Sequence, residues 1–312
     1  LPASLAPDER QRGRQEAPVK PKDAGVVYAL LAYGSWGIVP IFWRLLQGVR
    51  PIEVLAHRIA WSLLLVGALV AATGSARPAL AAFRTRRTLL LFLGSSLLIA
   101  VNWGLFILAV MTHRLADASL GYFINPLANV VLGVAVLSEK LARLQKLAVG
   151  LAAIAVVVLL ASGGTFPWLA FALAGTFAIY GLMRKLAPLE SIAGLFVETL
   201  VLTPIALVAI AWFEAHGGAM SRGDTKLTLL LAASGPITAL PLVWFAAAAR
   251  RLPLSTLGLF QYLAPTLQIL IAVFAFGERV SGPRWLAFCL VWSALAIHSV
   301  HLLRSATVRR PS

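Results

Sequence analysis

One carboxylate lies deep inside an apolar stretch of this sequence. Glu198 follows Glu190 by eight residues, and mostly apolar side chains surround it. At a helical rise of about 1.5 Å per residue, it would lie about 12 Å past Glu190. A carboxylate at such a depth in hydrocarbon costs about 3 kcal/mol, so it must be protonated, paired or in contact with water. It is therefore either a structural hydrogen-bonding group or a site that exchanges a proton or contacts a substrate amine.

One arginine has a similar position. Arg58 follows Pro51 by seven residues, which places it about 10 Å into another apolar stretch. Its long side chain could extend the guanidinium to the membrane surface. Alternatively, Arg58 pairs with an anionic group of a substrate or with Glu198. The adjacent His57 is expected to be a hydrogen-bonded neighbour.

Two pairs of amides have helical spacing. Asn125 and Asn129 are four residues apart and share one helix face, and Gln261 and Gln268 share a face of a later helix. Asn129 and Gln268 are also related by an offset of 139 positions, which would place them on facing helices. These amides either line a cavity or form hydrogen bonds between helices, worth about 0.6 kcal/mol each in membranes.

Prolines interrupt three of the apolar stretches. Pro40, Pro126 and Pro265 lack an amide hydrogen, and each leaves one carbonyl without its helical donor. In membranes such carbonyls are satisfied by neighbouring helices or by water in a cavity. We therefore predict helix breaks at these three positions.

Aromatic side chains near these positions could form a pocket. Trp36, Trp103 and Tyr122 are the candidates within the apolar stretches. Trp43 lies closer to a predicted membrane edge, where tryptophan is enriched, and is expected to anchor the chain at the interface.

The elements that carry these residues are long and apolar. Of the 312 residues, 60% are hydrophobic and 12% are charged, whereas soluble domains have about 45–50% and about 25%. A membrane-spanning helix needs about 20 residues, and many of the apolar runs have this length. The sequence therefore predicts an all-α integral membrane protein with ten transmembrane helices. Their expected positions are near residues 25–46, 51–72, 88–111, 117–137, 144–162, 167–186, 190–212, 227–249, 254–276 and 284–303.

The net charge of +15 comes from Lys and Arg in short clusters between the apolar runs. This distribution is typical of membrane topology, and it argues against a nucleic-acid partner, which needs a basic face. With the N-terminus inside, the cytoplasmic segments hold 19 of the 27 basic residues and the outer segments hold seven. We predict cytoplasmic termini, with a disordered tail at 1–24 and a second tail at 304–312. The single cysteine, Cys289, excludes an internal disulfide and a cysteine metal site.

The two halves of the chain resemble each other. The segment from Phe123-Ile-Asn-Pro126 to Glu139 aligns with the segment from Tyr262-Leu-Ala-Pro265 to Glu278 at the constant offset of 139. Because each copy has an odd number of spans, the second copy must enter the membrane from the opposite side. Two inverted five-helix repeats are typical of secondary transporters.

Several motifs are similar to those of one known family. They are Ala32-Tyr33-Gly34-Ser35-Trp36-Gly37-Ile38, His57-Arg58, Asn102-Trp103, Ala118-Ser119-Leu120-Gly121-Tyr122-Phe123-Ile124-Asn125-Pro126-Leu127 and Phe196-Val197-Glu198-Thr199. They resemble the RarD permeases, or chloramphenicol-sensitive protein family, of the drug/metabolite transporter superfamily. The resemblance implies EamA-type halves at 25–162 and 167–303 and a central substrate cavity, but no particular substrate. The ten residues that we predict for the substrate pathway are Trp36, Arg58, Asn102, Trp103, Tyr122, Asn125, Asn129, Glu198, Gln261 and Gln268.

These observations favour a secondary transporter in the cytoplasmic membrane that moves a small organic metabolite or drug by alternating access. A channel-like pore and an intramembrane enzyme are the alternatives. The chain has no P-loop, Gly-x-Ser-x-Gly or His-Glu-x-x-His motif, and a channel would be expected to show rings of charge or a carbonyl filter. The expected partners are a small-molecule substrate and the lipid bilayer, a homodimer is an open alternative to a monomer, and no cofactor or metal is expected.

Overall fold

The computed structural model describes residues 21–111, 115–162, 166–275 and 281–307, and every regular element within these ranges is helical. The helices are α1 (Pro21–Arg44), α2 (Pro51–Ala72), α3 (Ala76–Ala81), α4 (Arg86–Met111), α5 (Leu115–Ala135), α6 (Arg143–Ala161), α7 (Trp168–Leu186), α8 (Ser191–Ala215), α9 (Thr225–Arg251), α10 (Leu254–Gln261), α11 (Leu263–Leu270) and α12 (Gly282–Thr307). A π-helical turn, Ile271–Ala275, extends α11. The all-α prediction is confirmed.

The described residues contain nine spans that are long and apolar enough to cross a membrane, and α5 adds the shorter apolar segment Leu120–Ala135. Large apolar side chains cover the outer surface, such as Ile205, Val208 and Phe274, which are 73%, 71% and 81% exposed. In water such a surface would be unfavourable. The chain is therefore a multi-pass membrane protein.

The predicted span at 254–276 is one span in two pieces. Helix α10 ends at Gln261, Tyr262 lies between the two helices, and α11 begins at Leu263. Pro265 explains the interruption, since it has no amide hydrogen for the Gln261 carbonyl.

The ends of the chain differ from the prediction. Residues 21–24, which we predicted to be part of a disordered tail, form the first turn of α1. Proline at the first helical position and Asp23 in the first turn both favour a helix start. Helix α12 continues to Thr307, beyond the predicted boundary at 304, and α3 occupies part of a predicted connection. The rest of both tails, 1–20 and 308–312, lies outside the described residues.

Contacts between the two halves of the chain occur in matched pairs. Helix α1 packs on α9 and α11, and α7 packs in the corresponding way on α4 and α5. Likewise, the contact of α4 with α8 corresponds to the contact of α9 with α2. Helix α2 packs on its own counterpart α8, and α6 packs on its own counterpart α12. Two halves related by an approximate two-fold axis would produce this pattern. Their opposite orientation in the membrane stays a prediction.

Glycines permit the closest helix approaches. A Cβ added at Gly235 of α9 would lie 2.5 Å from the carbonyl carbon of Trp61 in α2, and Ser62 donates a hydrogen bond to the Gly235 carbonyl at 3.1 Å. A Cβ added at Gly258 of α10 would lie 2.6 Å from the Pro126 carbonyl oxygen of α5. Small residues at helix interfaces are typical of membrane proteins because they let backbones pack directly.

Candidate functional site

The described residues line a cavity of about 650 Å³. Its walls come from eight helices: α1, α2, α4, α5, α7, α9, α10 and α11. Eight of the ten residues predicted for the substrate pathway line it, and these are Trp36, Arg58, Asn102, Trp103, Tyr122, Asn125, Gln261 and Gln268. Asn129 and Glu198 are not among the lining residues. The volume lies within the range of about 300–1,000 Å³ that is usual for small-molecule sites.

Aromatic rings form much of the cavity wall. They belong to Tyr33, Trp36, Trp43, Trp103, Phe106, Tyr122 and Phe177. The Trp36 ring centroid lies 5.5 Å from that of Tyr33 and 5.7 Å from that of Phe177, which are favourable separations for tilted aromatic pairs. Trp43, which we expected at the membrane interface, also lines the cavity, and Arg58 packs on its ring.

The Arg58 guanidinium lies between two indoles. Its Cζ atom is 4.7 Å from the ring centroid of Trp43 and 5.2 Å from that of Trp103. Its Nε donates a hydrogen bond to Thr238 Oγ1 at 2.9 Å. The sequence-based alternative of a pair with Glu198 is wrong, because Glu198 pairs with a different arginine.

The amides form two separate networks. Asn102 Nδ2 donates to the Leu173 carbonyl at 2.8 Å and to Thr176 Oγ1 at 2.9 Å. Asn129 is fully buried, and its Nδ2 donates to Asn125 Oδ1 at 3.1 Å and to Gln261 Oε1 at 3.0 Å. Asn129 therefore orients two cavity-lining amides from behind the wall.

Gln268 satisfies a carbonyl that a proline leaves free. The Trp36 carbonyl is four residues before Pro40 and has no helical donor, and Gln268 Nε2 donates to it at 3.1 Å. This bond joins α11 to α1, so Asn129 and Gln268 have separate partners and do not pair with each other. Helices α1 and α5 continue through Pro40 and Pro126, contrary to the predicted breaks. Of the three predicted breaks, the one at Pro265 coincides with an interruption.

Glu198 lies next to the cavity in a buried polar cluster. Its Oε1 is 3.5 Å from Arg184 Nη1 and accepts a hydrogen bond from Ser95 Oγ at 2.6 Å, while Tyr180 donates to Oε2 at 3.1 Å. A void of about 10 Å³ borders the carboxylate and shares Trp103 and Thr238 with the large cavity. The sequence allowed a protonated carboxylate, a paired one or one in contact with water, and the structure shows Glu198 paired with Arg184.

Arg184 is the site residue that sequence reasoning missed. It was one of the 19 basic residues assigned to the cytoplasmic segments and was not considered as a partner of Glu198. In the structure it is 1% exposed in the last turn of α7 and also donates to the Ser191 carbonyl at 3.0 Å. The available signal was its spacing of four residues from Tyr180, which puts both side chains on one helix face.

A second cluster lies at the end of α8. Glu53, His57 and Glu214 have potential metal-ligand atoms within 4.8 Å of one another. The Glu53 carboxylate accepts the backbone N–H of Ala219, and Glu214 accepts that of Ser221 at 2.7 Å, so both carboxylates hold the α8–α9 connection. Neither ring nitrogen of His57 has a hydrogen-bond partner in the described part of the chain, contrary to our expectation for His57. The absence of a resident metal stays a prediction.

Comparisons with known proteins extend the sequence resemblance. The EamA-like transporter family matches residues 23–161. A RarD protein of Streptomyces exfoliatus is 45% identical over 286 residues, which cover 90% of each chain. The RarD protein of Escherichia coli is 42% identical over 88% of this chain and 93% of its own, and a Vibrio cholerae protein described as an uncharacterized transporter is 41% identical over 92% and 95%. One crystal structure shares the fold, with a TM-score of 0.69 at 18% identity over 91% of this chain and 99% of its own.

Proposed function

This chain belongs to the RarD family of EamA-like transporters, and on that basis we propose that it is a secondary transporter of a small organic solute in the cytoplasmic membrane. The observation that carries the proposal is the cavity of about 650 Å³. Helices from both halves wall it, and aromatic and amide side chains line it. One chain supplies the whole cavity, so a homodimer is not required to build the site.

The mechanism that best suits this architecture is alternating access. The matched contacts between the halves would let one half rock against the other around a fixed central site, as in transporters built from repeats. Because this chain has no nucleotide-binding motif, the energy would come from a gradient or from solute exchange.

The proposal is tested by finding a solute and measuring its flux. Metabolites inside and outside cells are compared with and without expression of the chain, and the solute whose distribution changes is tested in proteoliposomes. Saturable counterflow is the expected result. Non-saturating flux would identify a pore, and chemical turnover without flux would identify an enzyme.

Cysteine labelling should distinguish the cavity wall from the layer behind it. In a background with Cys289→Ser, Asn125→Cys should react with a water-soluble thiol reagent at least about tenfold faster than Asn129→Cys, since access to water controls thiol reactivity. Both positions are asparagines on the same helix face, but Asn125 lines the cavity and Asn129 does not. Equal labelling rates, measured by mass spectrometry on protein of equal thermal stability, would contradict the proposed pathway.

The proposed topology places both termini and Lys140 in the cytoplasm and Gly217 outside. Reporter fusions at the C-terminus and after Lys140 should read cytoplasmic, and a fusion after Gly217 should read external, because the basic residues cluster on one side of the predicted spans. A cytoplasmic reading at Gly217 would contradict the inverted orientation of the two halves.

A further inference from the structure

The charges on the cavity wall have one sign. Among the described residues that line it, Arg44 and Arg58 are the charged side chains, and none of the lining residues is Asp or Glu. Glu198 pairs with Arg184 and is not among the lining residues. The lining residues therefore offer a solute the positive charge of Arg58 and no carboxylate.

The surroundings of Arg58 leave part of its binding capacity unused. A guanidinium has five N–H donors in a planar fork. In the described chain only Nε has a protein hydrogen bond, to the neutral hydroxyl of Thr238, and no carboxylate lies within ion-pair distance. The indoles of Trp43 and Trp103 contact the guanidinium at 4.7 and 5.2 Å from their centroids. These contacts hold it in place and leave the terminal nitrogens as donors.

A partly buried cation that lacks an anion carries an energetic cost, and this cost falls when a bound solute supplies the anion. The planar fork suits a carboxylate or phosphate group that accepts two parallel hydrogen bonds. The indole contacts compensate part of the charge through the ring quadrupoles, but they do not replace hydrogen-bond acceptors. Arg58 is thus arranged to receive an anionic group from the cavity side.

The remainder of the wall suits a flat apolar body. Tyr33, Trp36 and Phe177 present a continuous aromatic surface, and amides at Asn125 and Gln261 add a few polar contacts. An inorganic anion would leave this aromatic surface unused, and an organic cation would face Arg58 with a charge of the same sign.

We propose that the substrate class is a small organic anion with a flat apolar or aromatic body, whose anionic group binds the Arg58 guanidinium between Trp43 and Trp103. This inference rests on the proposed transport function and specifies what its central site accepts.

Three probes that differ only in charge test the inference on the purified full-length chain in detergent. Indole-3-acetate, indole-3-acetamide and tryptamine carry the same ring and are anionic, neutral and cationic. By titration calorimetry, indole-3-acetate should bind at least about thirtyfold more tightly than either of the other two, the factor expected for one desolvated charge pair. Acetate should bind more weakly than indole-3-acetate because it lacks the ring.

Substitutions at Arg58 locate the effect. Arg58→Gln should weaken indole-3-acetate binding at least about thirtyfold and leave indole-3-acetamide binding within about twofold. Arg58→Lys, which keeps the charge but loses the planar fork, should lie between Arg58→Gln and the parent. Arg143→Gln removes an exposed arginine at the start of α6 and should change nothing. Unchanged binding of the neutral probe shows that the cavity is intact in each variant.

Equal affinity for the three probes, a preference for tryptamine, or no binding of any probe at millimolar concentration would overturn the inference. So would an Arg58→Gln variant that binds indole-3-acetate as tightly as the parent. These binding results test the substrate class and leave the transport function to the counterflow experiment. Counterflow of a neutral or cationic solute would support the transport function and refute the anion class. Failure of counterflow with probe binding retained would instead refute the transport function.

Discussion

Gly235→Ala should separate α2 from α9 and greatly reduce the amount of folded protein. The new Cβ would lie 2.5 Å from the carbonyl carbon and 2.5 Å from the Cβ of Trp61, and a clash with backbone cannot be relieved by a rotamer change. Overpacking costs about 1–3 kcal/mol or more, and we expect the upper end here. The midpoint of thermal unfolding in detergent and the yield of monodisperse protein measure the effect.

Gly104→Ala is the matched control for this substitution. Gly104 is also within a helix, α4, but a Cβ added there meets no atom within 4 Å. Helix propensity favours alanine by about 1 kcal/mol, so this variant should be at least as stable as the parent. If both variants unfolded at the same temperature, the direct packing of α2 on α9 would be refuted.

A separation of α2 from α9 would also change the cavity wall. Arg58 lies on α2 and its hydrogen-bond partner Thr238 lies on α9, three residues after Gly235. A small displacement between α2 and α9 would break this bond. Any Gly235→Ala protein that does fold should therefore bind anionic probes less tightly than Gly104→Ala protein.

Glu198→Gln should also strongly destabilise the protein. The substitution leaves the Arg184 guanidinium buried without its carboxylate, and removal of one partner of a buried ion pair costs about 3–5 kcal/mol. The same substitution at Glu190 breaks an ion pair with Arg250 in which the Glu190 side chain is 71% exposed, and such pairs contribute less than about 1 kcal/mol. The unfolding midpoints of Glu198→Gln and Glu190→Gln in detergent provide the comparison.

A double variant completes this test. Once Arg184→Gln has removed the cation, the added Glu198→Gln should cause little further loss, so the two effects should be strongly non-additive. A Glu198→Gln protein that is as stable as the parent but fails to accumulate solute against a gradient would contradict this expectation. That result would instead favour the proton-coupling role that the sequence allowed for Glu198.

The sequence was sufficient for the spans and for several of the polar side chains on the cavity wall. Uninterrupted apolar runs of helical length have few alternatives to a membrane helix, and polar side chains within them are costly enough to indicate a site. Arg58, Gln261 and Gln268 were found in this way, and all three line the cavity.

The remaining features depend on tertiary contacts that a single sequence does not encode locally. Asn125 and Asn129 have the same spacing pattern, yet one lines the cavity and the other lies behind it. Pro40 leaves the Trp36 carbonyl without a helical donor, yet α1 continues through this position. Gln268 donates to that carbonyl from 228 positions later in the chain. Arg184 was not recognised as the partner of Glu198 because its burial depends on where α8 packs.

The pair of Arg184 and Glu198 also bears on how the chain enters the bilayer. The two residues lie on consecutive helices, α7 and α8, whose connection is short, and Arg184 additionally binds the first residue of α8. An arginine on a single helix costs up to about 2.5–3.5 kcal/mol to insert, the value at the membrane centre, and the carboxylate adds its own cost. If α7 and α8 leave the translocon together as a helical hairpin, Arg184 and Glu198 enter the lipid already paired. Biogenesis of the second half would then begin with a paired insertion of α7 and α8, before α9 arrives.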